Sequence, residues 1–188
     1  MHRMDNLNGK LLIAMPDMGD PRFAGAVIYI CAHSDEGSMG LILNRPRPEI
    51  AFDKLLTQMN IPRSPACRDI RVHVGGPVER ARGFVLHSLD YTSANSTLEV
   101  ADNIGMTATQ DVLEALAQGG GPADSLLALG YTGWGPGQLE SELAANGWLI
   151  GPSEAHVLFG DDHAGKWTAA LALLGVTPQA LSLTGGRA

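Results

Sequence analysis

Cysteine is scarce in this chain of 188 residues, with Cys31 and Cys67 the only two. Two thiols build neither a disulfide framework nor a zinc site made of thiolates alone. Long apolar runs are missing as well. The longest, Ala24 to Ala32, falls far short of the roughly 18 to 20 residues a membrane span requires. The opening Met1-His2-Arg3-Met4-Asp5 leads into polar residues and not into an apolar stretch, so the sequence predicts no export signal, no membrane association and a cytoplasmic location. The most pronounced lack is of positive charge. Between Gly83 and Gly165 there is no Lys or Arg, whereas Asp and Glu together number 11, within a net charge of −7. A face of that sign repels phosphate backbones, which argues against direct nucleic-acid binding.

Apolar residues make up 45% of the chain, and mean hydropathy is +0.03, enough for one sizeable core. The length predicts a single domain over residues 1–188. Arginine concentrates early, at Arg45, Arg47, Arg63, Arg68, Arg71, Arg80 and Arg82. Guanidinium forks suit anionic ligands or partners, but they serve equally to pair with the acidic half within the fold or across a homo-oligomer.

Strands are expected at Leu11 to Met15, Ala26 to Cys31 and Gly40 to Asn44, the last two forming a hairpin about Ser34 to Ser38. Phe52, Leu55, Leu56 and Met59 recur at helical spacing. Further strands follow at Ile70 to Val74, Phe84 to His87 and Thr97 to Val100, with Gly75-Gly76-Pro77 as a turn. Thr107 and Gln110 have the spacing of a capping box for a helix ended by Gly119. Ser125 to Leu129 reads as a strand. Pro136 at the first helical position and Gly147 past the last bracket another helix, and Trp148 to Ile150 forms a strand. Trp167, Leu171 and Leu174 define a last helix capped by Asp161 or Asp162. About eight strands, clustered early, and four helices, clustered late, predict an α+β fold with a mixed sheet covered by helices.

No complete chemical motif is present. Phosphate-loop patterns are absent, and Gly133-Trp134-Gly135-Pro136-Gly137 precedes a helix whose first turns already hold Glu140 and Glu142. Ser153, His156 and Asp161 lie close in sequence, which is no evidence for a triad. Asp161-Asp162-His163 and His33-Ser34-Asp35-Glu36 lack metal-site spacing, so no metal and no cofactor is expected. His73 and His87 sit in apolar runs, as structural histidines or as a general base. Cys31 reads as core. Cys67, beside Arg68 in a loop, reads as the more reactive thiol.

Several strings, in joint order and spacing, resemble the bacterial YqgE/AlgH family from Gly9 to Gly175. They are Gly9 to Pro16 with Asp20 and Phe23, then Gly40-Leu41-Ile42-Leu43-Asn44-Arg45-Pro46, Gly75-Gly76-Pro77-Val78, and Gly83-Phe84-Val85-Leu86-His87. Gly130-Tyr131-Thr132-Gly133-Trp134 follows, with Gly137-Gln138-Leu139-Glu140-x-Glu142, Asn146 and Trp148. His73 stands where the family pattern leads one to expect an aromatic. The resemblance implies a bent, partly barrel-like sheet surrounded by about four helices. The family name derives from a proposed role in transcriptional regulation, and no catalytic residue carries over. No helix bears several Lys or Arg, so a recognition helix for the major groove is not expected.

These readings converge on a non-enzymatic regulatory or interaction module of largely uncharacterised type. It would affect transcription indirectly through a protein partner or a small ligand, homo-oligomerisation being allowed. Its candidate binding surface joins Pro16, Asp20, Asn44, Arg45 and Pro46 to Gly75, Gly76 and Pro77 and to Trp134 and Gln138. These residues sit at strand ends beside turns, where clefts form. The alternative is a small-molecule binder or enzyme built from His33 or His87 with Asp17, Asp20 or Glu140. A third reading is a direct DNA-binding regulator.

Overall fold

The computed structural model describes residues 6–185. In chain order its elements are β1 (Leu11–Ala14), β2 (Val27–Ser34), β3 (Gly37–Ile42), α1 (Phe52–Gln58), β4 (Val72–Val74), β5 (Val78–Ser88), β6 (Thr97–Ala101) and β7 (Ile104–Thr107). There follow α2 (Gln110–Ala117), β8 (Ser125–Trp134), α3 (Gln138–Ala144), β9 (Trp148–Gly151), α4 (Ala155–Phe159), α5 (Lys166–Ala172) and α6 (Pro178–Gly185). The fold class is α+β, as the sequence predicts. Six helices are described where four were expected, because the short α4 and the late α6 carry no clear periodicity. A ninth strand, β7, was hidden behind the turn at Asp102-Asn103.

The chain packs as two compact units. One joins the chain up to Arg45 to the chain from Thr132 onward, and the other is Pro46–Tyr131. In the first, β9, β1, β2, β3 and the end of β8 pair in that order, all antiparallel. β1 is buried throughout and β2 over Val27–Cys31, so both read as continuous apolar runs, the pattern of strands covered on two faces. Leu12, Ala14, Ile28, Ile30 and Ile42 pack with Trp134, Leu139 and Trp148. The β2–β3 hairpin closes more tightly than expected, with Ser34 opposite Gly37 across Asp35-Glu36.

In the second unit the order is β6-β7-β5-β8-β4. All pairs are antiparallel except β4 with β8, which makes the sheet mixed. Phe52 and Leu56 of α1 and Val112, Leu113 and Leu116 of α2 cover Val72, Val85, Leu127 and Leu129 of the sheet.

Local signals explain the helix ends, with three corrections. Gly119, at φ +90°, ends α2, and the amide of Gly120 bonds the Ala115 carbonyl. The expected Thr107–Gln110 capping box does not form: Thr107 is buried in β7, and Thr109 takes the N-cap without a side-chain bond. Helix α3 starts at Gln138 behind Gly137, so Pro136 lies in the preceding turn. Its left-handed end is Asn146, at φ +61°, and not Gly147, whose amide bonds the Glu142 carbonyl. The N-cap of α5 is Gly165 and not Asp161 or Asp162; Asp162 instead accepts from the Gly165 amide at 3.0 Å, in the turn before the helix.

The arginine-rich stretch finds partners other than those expected. Arg47 pairs with Glu49, Arg63 with Asp53 and Arg82 with Glu79, all outside the cation-free half. Arg68 instead binds the carbonyls of Gly120, Pro122 and Ala123. It ties down the glycine-rich turn after α2.

In the second unit the turn glycines are dictated by backbone proximity. A Cβ on Gly130, already at φ +79°, would lie 2.5 Å from the Gly76 carbonyl oxygen, and one on Gly75 would lie 2.2 Å from the Gly130 oxygen. Replacing Gly130 by Ala is expected to destabilise the protein by about 2–3 kcal/mol in urea unfolding, through strain and steric displacement together. An unchanged midpoint would show that this crossing yields.

Candidate functional site

In the first unit the predicted polar residues at strand ends turn toward the backbone. Asn44 accepts from the Val27 amide at 3.0 Å and donates to the Gly25 carbonyl at 2.9 Å. Arg45 donates to the Ala24 carbonyl, and its partial burial lowers its pKa. Asp20 takes a forked bond from the Arg22 guanidinium and another from the Arg22 amide, which hold its carboxyl below the usual range. The Arg22 guanidinium lies 5.3 Å from the centre of the Phe23 ring. These contacts fix the turn 20–25 against the end of the β2–β3 pair. Pro16 and Asp17 are exposed beside it.

The second cluster centres on Glu142. One oxygen accepts from the indole N–H of Trp148 at 2.9 Å and of Trp134 at 3.2 Å, and the other accepts from the Gln138 amide at 2.9 Å. The Gln138 oxygen in turn accepts from the Gly135 amide at 3.0 Å. The two indoles meet edge to face, with Phe23 edge-on to Trp148. Helix geometry produces this arrangement: Gln138 and Glu142 are one turn apart on α3, above the strand ends that carry Trp134 and Trp148. Trp134 and Gln138 belong to the surface expected from the sequence, whereas Glu142, which joins them, entered there only as an acid early in the helix and as part of the family string. Its signal is its position four residues after Gln138.

In the second unit lie Pro46, Gly75, Gly76 and Pro77. Pro46 bridges to the buried His73, whose strand β4 enters the Gly75–Gly76 crossing already described.

His87 is fully buried among polar groups whose roles can be assigned. Its Nδ1 lies 2.9 Å from the Ser88 carbonyl, an acceptor only, so Nδ1 carries the proton. Nε2 then accepts from the Thr107 hydroxyl at 2.7 Å, Thr107 accepts from Thr97 at 2.8 Å, and Thr97 accepts from the Ser93 amide at 2.8 Å. The Ser93 hydroxyl reaches Asp111, as does that of Thr109. Burial acts to raise the Asp111 pKa, but these two hydroxyls and nearby backbone amides outweigh it and lower it. For His87, burial lowers the pKa, with the Ser88 carbonyl and the Asp90 charge opposing. Neither His87 nor His33 reaches the carboxylates proposed from the sequence. His33 Nδ1 lies 2.7 Å from the Ser38 hydroxyl across the hairpin, while Asp20 is engaged by Arg22.

Of the two cysteines Cys31 is the buried one and Cys67 the more exposed, the order the sequence predicts. Burial pushes the Cys31 thiol up to about 12, as befits a core residue. Cys67 lies in the loop between α1 and β4, half-buried against the second unit's core and 3.4 Å from the Arg68 carbonyl. Ser153 precedes α4 and His156 lies exposed on it. Among the described residues no group of three or more His, Cys, Asp or Glu gathers as metal ligands, and no helix is long and apolar enough to cross a membrane.

Largely antiparallel strand pairing with short flanking helices, braced by side chains at strand ends, places the chain among α+β proteins. The pattern matches the AlgH-like family of domain DUF179 over residues 11–179, and the chain belongs to that family. A UPF0301 protein of Cereibacter sphaeroides is 55% identical over 183 residues, covering 97% of this chain and all of its own length. One from Paracoccus denitrificans is 50% identical over 190 residues, with both chains fully covered. The solution structure of the AlgH protein from Pseudomonas aeruginosa superimposes with a TM-score of 0.79 at 41% identity, covering 100% of this chain and 97% of that one. The crystal structure of protein DIP2367 from Corynebacterium diphtheriae shares the fold, with a TM-score of 0.69 at 19% identity over 91% of this chain and 88% of its own.

Two outcomes follow from the networks. Glu142→Gln sets its new amide N–H₂ against that of Gln138 and is expected to cost about 1–3 kcal/mol, while adding Gln138→Glu restores a donor–acceptor pair and recovers part of the loss. Paired urea titrations read this. Non-recovery would mean the carboxylate's charge matters more than its bonding pattern. Second, His87 takes up its proton at lower pH when folded than when unfolded. Its contribution is therefore present above the unfolded value of about 6.5 and is lost as pH falls from there toward the folded value. Unfolding midpoints from pH 8 to 5 should decline through that window in the native chain and decline less in His87→Gln.

Proposed function

We propose that this chain is a non-enzymatic regulatory module that works in the cytoplasm by docking a protein partner, and that any effect on transcription passes through that partner. The observation that carries this reading is strand β6. It ends the sheet order, pairing among the described residues only with β7, and so offers an edge for strand addition. Leu98 on it is the one large hydrophobic residue among the described residues to stand exposed, at 45%. Glu99 and Asp102 flank it, exposed, within the stretch that lacks Lys and Arg. Pairing with β7 is regular from Thr97 to Glu99, before the irregularity at Ala101. The chemistry fits an extended, basic segment of a partner, whose main chain would pair with the edge and whose cations would meet the acids.

The predicted turn surface of the first unit, with Pro16, Asp20, Asn44, Arg45 and Gln138 and with Trp134 buried beneath it, offers a second docking face in this reading. Its side chains hold the turns rigid, which limits the ordering cost of association. The stretch from Gly83 to Gly165, which holds acids and no Lys or Arg, disfavours a duplex as partner.

A peptide alternating Val and Lys, titrated by fluorescence anisotropy, is expected to bind with affinity that falls as salt rises. Its Val and Glu counterpart should not bind. Leu98→Ser, which leaves net charge alone, should weaken binding at least fivefold. Binding of neither peptide, or binding indifferent to Leu98→Ser, would overturn the edge as the docking site. Retardation of a short duplex at low salt would favour direct DNA binding.

A further inference from the structure

Within the second unit, the helices do not fill the sheet face they cover. A cavity of about 90 Å³ lies between α1 and α2, over β5 and β8. Its floor is set by strand alternation: Ala81, Gly83 and Val85 fall on one face of β5, and Leu129 and Leu127 stand opposite Gly83 and Val85 in the neighbouring strand. Leu55 and Met59 of α1 wall one side and Leu113 of α2 the other. The void exists because β5 carries its smallest residues there. A Cβ on Gly83 would meet only Leu127 at 3.4 Å and Leu129 at 3.9 Å, ordinary contact distances, at a backbone conformation any residue adopts.

Protein interiors are close-packed, and lining atoms next to a void lose dispersion contacts, so an unfilled apolar slot is a standing cost. Water fills it poorly, because each buried water needs two to four polar partners and the floor and walls are aliphatic. Of the polar lining groups, Thr107 is buried with its hydroxyl already engaged by His87 and Thr97, and Thr109 and Gln110 stand at the exposed rim. No charged side chain lines the slot. The volume corresponds to roughly three waters, the bulk of an isobutyl or isopentyl group.

We infer that this slot is a ligand site for a short branched alkyl group carried on an uncharged hydrogen-bonding head, such as an aliphatic alcohol or primary amide. The apolar part displaces the void and the head meets the Thr109 and Gln110 rim. The β6 edge plays no part in this inference, so either stands if the other falls.

The test is a methyl-resonance NMR titration of the full chain with isopentyl alcohol and 4-methylpentanamide, with isovalerate as the charged comparison. Both neutral probes are expected to shift the methyl signals of Leu55, Met59, Val85 and Leu127 saturably, while isovalerate binds at least tenfold more weakly. Gly83→Val places two methyl groups in the slot. It should leave the melting temperature equal or higher and weaken both neutral probes at least tenfold. If that variant does not fold, Ala81→Leu fills the slot from its mouth and is read in the same way. No saturable shift in the native chain, or undiminished binding in a folded filled variant, would overturn the site. Equal binding of isovalerate would overturn the assigned head group.

Discussion

The constraint on which the structure depends is that backbone amides and carbonyls at strand ends, once withdrawn from water, must find partners. Nine short strands ending in turns create many such groups, and this chain supplies the partners from side chains. Asn44 spans the Val27 amide and the Gly25 carbonyl, Arg45 takes the Ala24 carbonyl, Arg68 takes three carbonyls after α2, and Gln138 takes the Gly135 amide. The distinctive strings that make the sequence recognisable therefore serve first to close turns. That is why conspicuous polar residues sit beside glycines without forming a catalytic constellation among themselves.

The same economy governs the buried polar groups. Glu142 is accommodated in a half-buried position because two indoles and one amide converge on it, leaving its oxygens well occupied. His87 is kept neutral by the opposite device, a directed chain of hydroxyls running from the Ser93 amide through Thr97 and Thr107. A second proton on Nε2 would force the Thr107 hydroxyl to turn away and break that order. Both networks fix the geometry of side chains drawn from separate elements.

Much of the fold was legible in the sequence. The apolar runs of β1 and β2, the helical stripe of α1, and Gly119 at the end of α2 carry their own signals, because period and turn residues act locally. The helical stripe also placed Phe52 and Leu56 correctly in a core. What misled was local chemistry with two uses. Thr107 and Gln110 have capping-box spacing, but the buried His87 beside β7 claims the Thr107 hydroxyl. Arginines that looked destined for the acidic half found nearer carboxylates at Glu49, Asp53 and Glu79, since short separations along the chain cost less entropy to close.

By itself the sequence determined the class of fold, the family, the sign of the charge along the chain and the glycines that turns require. Each of these rests on composition or on contacts a few residues apart. Tertiary structure decided that Glu142 would unite Trp134, Gln138 and Trp148, that His87 would be locked by Thr107, and that Ala81 and Gly83 would open a slot beneath two helices. Those arrangements join residues from separate elements, and only packing fixes which side chains share a space. The charge of β6 was legible in the sequence, but its position at the sheet edge was not, because strand order follows from pairing between distant segments.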